Sequence, residues 1–156
     1  MSVAEIRPAT REDAEAISDV LRRAFREYRK SYTRRGYAAT TPIASAILPR
    51  FAEGPVWIAE HASKAVGTVS AKRISNAIYV RSMAVVPEAR GRKIGSSLLN
   101  SVEEFARACD SRRLFLSTTP FLQDAIRLYE HYGFRRTADG PHDLFGTPLF
   151  TMEKQW

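Results

Sequence analysis

The feature that most constrains the fold is the segment Val80–Ala106, in which an apolar run enters a basic, glycine-containing turn. The turn spells RGRKIG at positions 90–95, and apolar residues recur behind it at helical spacing. The pattern predicts a strand, a tight turn and a buried helix in direct succession. Because a helix start has free backbone N–H groups at the positive end of its dipole, the three cations here predict a phosphate or pyrophosphate site.

Two other phosphate-binding motifs are excluded by the residues of this turn. The pattern GxxxxGK[ST] fails because Ser96, and not lysine, follows Gly95. The pattern GxGxxG is also missing, and no strand with an acidic end follows about 20 residues later. Gly91 and Gly95 are predicted to let a ligand approach the backbone. A basic surface turn without a ligand is the alternative.

The first half of the chain is predicted to contain two helices. Thr10–Asp13 matches a capping box, and apolar residues follow on one helical face. They are Ile17, Val20, Leu21, Ala24, Phe25 and Tyr28. The periodicity fails between Arg29 and Thr41, so no regular element is predicted there. Residues 42–51 follow a Thr-Pro start and are predicted to form a second, short helix.

Strand-like runs supply the rest of an α/β fold of the α+β type. Val56–His61, Ala65–Arg73 and Ile78–Val86 are separated by turns of hairpin length, which predicts an antiparallel meander. Further strands are predicted at residues 6–8, 113–118, 134–137 and 149–154. Between the second and third of these, a helix is predicted to start at Pro120 and to end at Gly133.

Length and composition narrow the class of protein. A chain of 156 residues, 44% hydrophobic and 26% charged, predicts one globular domain over residues 1–156. Neither a secretion signal nor an apolar run of about 20 residues is present, so a cytoplasmic protein without membrane contact is expected. Cys109 is the single cysteine, which excludes an intrachain disulfide, and no metal site is expected. The net charge of +7 suits an anionic ligand, an acidic substrate or nucleic acid.

Two blocks of the sequence resemble the GNAT superfamily of N-acetyltransferases. Its acyl-CoA-binding motif has Gln or Arg, two residues, Gly, one residue, then Gly or Ala. Arg90 and Gly95 match the ends of this motif, and Lys93 stands at the central glycine. The family's last helix is similar to AIRLYEHYGF at residues 125–134. Leu122 replaces the asparagine that usually precedes this block, so a hydrogen bond to pantetheine is missing.

The resemblance implies a GNAT fold, with a mixed, mostly antiparallel sheet of about six to seven strands that is flanked by helices and splayed at the acyl-CoA site. It implies acetyl-CoA as cosubstrate and direct acetyl transfer to a primary amine of a small molecule, amino acid or peptide N-terminus. The implied cofactor-binding residues are Met83, Ala84, Val85, Arg90, Gly91, Arg92, Lys93, Ile94, Gly95 and Ser96. It also implies a possible homodimer, for which Phe145, Leu149, Phe150 and Trp156 offer apolar bulk.

The resemblance makes Tyr129 the candidate general acid. A phenol with an ordinary pKa of about 10 is protonated at neutral pH and can donate to the leaving thiolate. Periodicity alone favours a core tyrosine instead. No general base is nominated, since residues 79–86 contain no carboxylate. Arg34, Arg35 and Tyr37 are the candidates to bind the acceptor, and a solvated basic loop is the alternative.

Three functional classes stay open at this point. The first is an active acetyl-CoA-dependent N-acetyltransferase, which the resemblance favours. The second is a CoA-binding module without turnover, suggested by Lys93, Leu122 and the missing base. The third is a nucleic-acid-binding domain. It rests on net charge alone, and the cations lack the aromatic interleaving and the groove-reading helix of such domains.

Overall fold

One sheet forms the centre of the structure, a computed structural model that describes residues 3–156. Its strands are β1 (Glu5–Pro8), β2 (Val56–His61), β3 (Lys64–Ile74), β4 (Ala77–Val85), β5 (Arg113–Thr118), β6 (Arg135–Arg136), β7 (His142–Leu144) and β8 (Thr147–Gln155). The helices are α1 (Ala14–Phe25), α2 (Arg34–Thr40), α3 (Ala44–Ile47), α4 (Ile94–Ala108) and α5 (Gln123–Tyr132). Short 3-10 segments join several of them.

The strand order is β1-β2-β3-β4-β5-β8-β6, with β7 paired to β8. Every pair is antiparallel except β4 with β5. The meander of β2, β3 and β4 and the mostly antiparallel sheet are therefore confirmed. The sheet has eight strands rather than six or seven, because the polar loop before β8 folds back and pairs His142 with Leu149.

Helices cover both faces of the sheet at its centre. Residues 66–71 of β3 are all buried, as expected of a strand with neither face in water. Both α1 and α4 pack on β3 and β4. The predicted apolar stripe of α1 is buried at Ile17, Val20, Leu21 and Ala24. In the 3-10 turn Arg11–Asp13 that leads into α1, the Thr10 amide donates to the Asp13 carboxylate at 2.8 Å, in agreement with the predicted capping box.

Residues 29–41 differ from the prediction of no regular element. A 3-10 segment covers Arg26–Ser31, and α2 follows it. Thr33 caps α2, since its hydroxyl accepts a hydrogen bond from the Gly36 amide at 3.0 Å. Periodicity missed this helix because it has seven residues and buries only Gly36.

The last helix begins three residues later than predicted. Pro120 lies in a turn, in which the Leu122 amide donates to the Thr119 carbonyl at 3.2 Å. Proline at the second position of a turn is as well suited as proline at a helix start, so the sequence signal was ambiguous. α5 ends as predicted at Gly133, which has a φ of +108°.

Candidate active site

The turn before α4 places backbone N–H groups at the start of that helix. Gly91 and Lys93 both have left-handed backbone conformations, with φ of +82° and +62°. Helical hydrogen bonding begins with the Ser97 amide, which donates to the Lys93 carbonyl at 3.1 Å. The amides of residues 94–96 therefore have no acceptor within the helix, which suits them to bind an anion. We call residues 90–96 the amide turn.

The two glycines of the amide turn have different roles. A Cβ at Gly91 would meet no atom within 4 Å, so the space over its backbone is open to a ligand. A Cβ at Gly95 would lie 2.6 Å from Leu128 Cδ2 and 3.1 Å from Met83 Cε. The expectation that Gly95 opens the backbone to a ligand is therefore corrected, because α5 fills that space by close packing.

The Arg90 side chain is bound within the protein. Its guanidinium pairs with Glu27, donates through Nη2 to the Ala24 carbonyl at 3.0 Å and donates through Nε to the Val85 carbonyl at 3.2 Å. Ala24 is in the last turn of α1, where carbonyls have no helical partner. Arg90 thus ties the amide turn to α1 and β4, and its positive charge is already matched by a carboxylate.

A cavity of about 700 Å³ lies beside the amide turn, where β4 and β5 separate. The two strands pair only at Ile78–Leu114 and Tyr79–Phe115, which confirms the expected splay. β4 also bulges, because Ser82 and Met83 together stand opposite the single residue Val69 of β3. The predicted cofactor residues in the cavity wall are Met83, Ala84, Val85, Arg90, Gly91, Lys93, Ile94, Gly95 and Ser96. Arg92 is exposed and lies outside the wall.

Tyr129 lies in the same wall and projects from α5. The residue is 6% exposed, and its ring centroid is 5.7 Å from that of Phe134. Burial raises the pKa of the Tyr129 phenol above its ordinary value, because the charged phenolate is poorly solvated there. The phenol therefore stays protonated at neutral pH. Its O–H can donate a hydrogen bond, and its oxygen can accept one. Tyr129 is thus at once a core residue and a cavity residue.

Tyr28 and Tyr32, both in the connection between α1 and α2, also line the cavity. The Tyr32 ring stands edge-on to Phe121, with centroids 4.8 Å apart. Burial raises the pKa of Tyr32 to about 12, against a smaller opposing effect of the Thr40 hydroxyl. In the sequence, Tyr32 follows Tyr28 at a spacing of four residues and so continues the stripe of Phe25 and Tyr28.

Two arginines in the cavity wall come from distant segments, and the sequence analysis missed both. Arg50 Nη1 donates to the Ser82 hydroxyl at 2.5 Å, directly at the bulge of β4. Arg81 precedes that bulge and donates through Nη2 to Glu53 at 2.9 Å. We call Arg50 and Arg81 the arginine pair. No sequence motif joins them, because their proximity results from the docking of residues 48–52 against β4.

A profile of the Acetyltransferase (GNAT) family matches residues 15–134. This chain belongs to the GNAT family. It is accordingly an acetyltransferase, in agreement with the resemblance of its two sequence blocks. The protein YjgM of Escherichia coli (strain K12), described as an uncharacterized N-acetyltransferase, is 29% identical over 135 residues, which cover 83% of this chain and 80% of YjgM. The probable N-acetyltransferase camello of Xenopus laevis is 33% identical over 84 residues, 52% of this chain and 38% of camello.

Solved structures share the fold over the whole chain. The PaiA N-acetyltransferase of Thermoplasma acidophilum, crystallised with coenzyme A, superposes with a TM-score of 0.82 at 22% identity and covers 100% of both chains. A GNAT family acetyltransferase of Elizabethkingia anophelis with acetyl-CoA bound gives 0.70 at 18% identity, again over 100% of both chains. At these identities the likeness shows the GNAT fold alone.

The GNAT motif explains the conformation of Lys93. This residue has a positive φ, a conformation that costs an L-residue about 1–2 kcal/mol and costs glycine nothing. The family's central glycine is therefore what the backbone prefers here. This chain places an ammonium group next to the free amides instead, at some cost in strain.

The predicted acceptor-binding residues of this GNAT chain lie away from the cavity. From α2, the described wall contains Ala39 and Thr40, whereas Arg34 and Arg35 are exposed and Tyr37 is outside it. Arg35 stacks on Phe145, with its guanidinium carbon 4.5 Å from the ring centroid. These three residues belong to α2 rather than to a loop, and the two arginines form part of its exposed surface.

Glu60 and His142, whose side chains are of types that can act as a general base, lie outside the cavity wall. Glu60 pairs with Arg7 at 2.6 Å, and the His142 ring lies 3.1 Å from the Thr151 hydroxyl. Within the described cavity wall the carboxylate is Asp124, which pairs with Arg127 at 2.9 Å.

Two further findings concern residues 3–156 as a whole. They contain no cluster of three or more His, Cys, Asp or Glu side chains in a position to hold a metal ion. None of their helices combines the length and the hydropathy needed to cross a membrane.

Proposed function

We propose that this chain transfers the acetyl group of acetyl-CoA to the primary amine of a small molecule, an amino acid or a peptide N-terminus, by direct attack in a ternary complex. The observation that carries the proposal is one continuous cavity, whose wall contains the amide turn, the splayed part of β4 and Tyr129. The fold shared with structures that hold coenzyme A or acetyl-CoA supports it.

The residues present fit an acyl-CoA. The amide turn offers the open backbone at Gly91 and the free amides of residues 94–96 to the pyrophosphate. Beyond it, the Thr119 hydroxyl lines the cavity, is fully buried and has no partner among the described residues. An unpaired buried hydroxyl costs about 1–3 kcal/mol, which a pantetheine amide would recover. Thr119 is three residues from Leu122, so it offers a replacement for the family's missing asparagine.

The transfer needs a neutral amine, a polarised thioester carbonyl and a stabilised thiolate. Acetyl-CoA supplies the activated acyl group. Backbone N–H groups within residues 83–85 of β4, beside the gap to β5, hold and polarise the acetyl carbonyl, and Tyr129 donates a hydrogen bond to the departing sulfur. Because burial raises the Tyr129 pKa, the phenol keeps its proton and acts through that hydrogen bond rather than by complete proton transfer. The amine loses its proton to water, since the carboxylate in the wall is already paired.

The proposal is tested by two measurements on the purified chain. Calorimetry with acetyl-CoA should give saturable binding. At a concentration a hundredfold above Kd, acetyl-CoA should raise the free energy of unfolding by about 2.7 kcal/mol, which a thermal melt detects as a higher Tm. Release of the CoA thiol should then depend on an added amine. Binding without release for any amine would favour the CoA-binding module. A melt that shifts with duplex DNA and not with acetyl-CoA would favour the nucleic-acid-binding domain.

A further inference from the structure

The arginine pair has more donor capacity than the protein uses. A guanidinium has five N–H donors, and among the described residues Arg50 donates to Ser82 alone. Arg81 donates to Glu53 through Nη2, while its Nε is buried and has no partner. Both side chains line the cavity, so their unused donors are next to the space that a substrate would fill.

The charge around the pair is unbalanced toward the positive side. Glu53 is the carboxylate that contacts it, and Glu53 also pairs with Lys72 at 3.4 Å. Burial lowers the pKa of Arg50, and repulsion by Arg81 adds to that effect. Three cations therefore share one carboxylate, and an additional anion would stabilise the site.

The pair is well separated from the amide turn. Arg81 precedes Val85 by four residues of β4, which corresponds to roughly 13 Å of strand. The bulge at Ser82 and Met83 lies between them, and residues 83–85 are those assigned to the acetyl end of the cosubstrate. An anion at the arginine pair is thus beyond the acetyl group, on the side where the acceptor must lie.

Resting on the function proposed above, we propose that the acceptor is a primary amine that also carries a carboxylate, and that Arg50 and Arg81 bind this carboxylate. A planar carboxylate can accept two parallel N–H bonds from a guanidinium, which fixes its orientation as well as its position. The amine on the same molecule is then directed toward the acetyl carbonyl at the bulge. The arginine pair replaces exposed Arg34 and Arg35 as the anion-binding part of the acceptor site.

The experiment compares amines that differ only in this charge. Glycine with glycinamide, β-alanine with β-alaninamide and leucine with leucinamide form matched pairs, with rates expressed per concentration of free amine. We expect kcat/KM to be at least tenfold higher for at least one carboxylate than for its amide. Aminomethylphosphonate is a further arm that separates carboxylate recognition from general anion recognition, and we expect it to be the poorer substrate.

Substitutions in the arginine pair then test whether these two residues cause the preference for a carboxylate over its amide. Arg50→Gln and Arg81→Gln should each lower kcat/KM for the preferred carboxylate by about 10- to 100-fold, the effect of losing a hydrogen bond to a charged group. The matched amide should change less than threefold, and so should the Kd of acetyl-CoA. Arg50→Lys keeps the charge without the planar fork, so an intermediate loss is expected. Arg112→Gln removes an exposed cation outside the cavity and serves as the control.

Each contrary result has a distinct meaning. Equal rates for carboxylates and amides would overturn the carboxylate assignment and leave the acetyltransferase intact. A higher Kd of acetyl-CoA in Arg50→Gln would mean that the arginine pair binds the cosubstrate rather than the acceptor. Equal losses for both members of a matched pair, in a variant that melts normally, would reduce the arginines to a structural role. Absence of thiol release with every amine would remove the proposed function, and this proposal with it.

Discussion

The two ends of the cavity recognise anions by different means. At the amide turn, consecutive residues supply backbone N–H groups, and Arg90, the first residue of the motif, is bound to Glu27 and to carbonyls. At the arginine pair, side chains from residues 50 and 81 supply the donors, and the backbone contributes only the bulge that carries Ser82. A main-chain site depends on local sequence, whereas a side-chain site depends on how separate segments dock.

The substitution with the largest expected effect lies between the two ends. Tyr129→Phe should lower kcat by about 100-fold, because a hydrogen bond to a developing thiolate is worth about 1.5–3 kcal/mol. Affinity at either end should be unchanged, so the Kd of acetyl-CoA should stay within about twofold. Stopped-flow detection of thiol release and calorimetry measure the two quantities.

Two other tyrosines serve as comparisons for this substitution. Tyr132 is on the same helix, outside the cavity, with Lys154 Nζ 4.2 Å from its ring centroid, so Tyr132→Phe is the matched control and should keep full kcat. Tyr32 is a second buried phenol in the cavity wall. A 100-fold loss in Tyr32→Phe, with normal turnover in Tyr129→Phe, would move the donor role to Tyr32.

The contrast between the ends also explains how much the sequence could predict. The amide turn lies within one contiguous block, so the strand, the turn and α4 were predicted from residues 80–106. Thr33 caps α2 through one hydrogen bond from Gly36, and one hydrogen bond from Leu122 closes the turn around Pro120. Hydrophobic periodicity does not detect such single local contacts. Arg50 and Ser82 are 32 residues apart and have no pattern that links them. Exposed cations at positions 34 and 35 were therefore easier to propose than the half-buried ones that face the cavity.

The two ends of the cavity should also differ in the pH dependence of the quantities measured at each. Cosubstrate affinity at the amide turn should be nearly constant between pH 7 and 10, because phosphate groups with a pKa of about 6 are already charged. The value of kcat/KM should rise about tenfold per pH unit until the acceptor amine is neutral. Since burial raises the pKa of Tyr129 above its ordinary value of about 10, the phenol stays protonated and causes no decline in this range.

A bell-shaped profile would contradict this account. A fall in kcat/KM beginning below pH 9 would mean that an essential acid with a lower pKa than Tyr129 is involved. A rising limb with the same midpoint for amines of different basicity would mean that a protein group, and not the acceptor, loses the proton.

Gly91→Ala tests whether the ligand uses the open backbone of the amide turn. The added Cβ occupies the space over a residue with a φ of +82°, so the affinity for acetyl-CoA should fall about tenfold and the free energy of unfolding by about 1 kcal/mol. Gly146→Ala is the control, since Gly146 has a similar φ of +95° and lies outside the cavity wall. It should lose stability without losing affinity. Equal affinities for the two variants would mean that no ligand approaches Gly91.

The smallest expected effect concerns Lys93, where backbone and side chain have opposing effects. Lys93→Gly relieves a left-handed conformation at φ of +62°, but it also makes the unfolded chain more flexible. The net gain should be about 0.5 kcal/mol, or an increase in Tm of about 1–2 °C. At low salt, the affinity of Lys93→Gly for acetyl-CoA should be about threefold lower than that of the wild type. At high salt the two affinities should be nearly equal, because salt screens the attraction of the exposed wild-type ammonium. A lower Tm, or an affinity loss independent of salt, would show that Lys93 acts through the shape of the turn rather than through its charge.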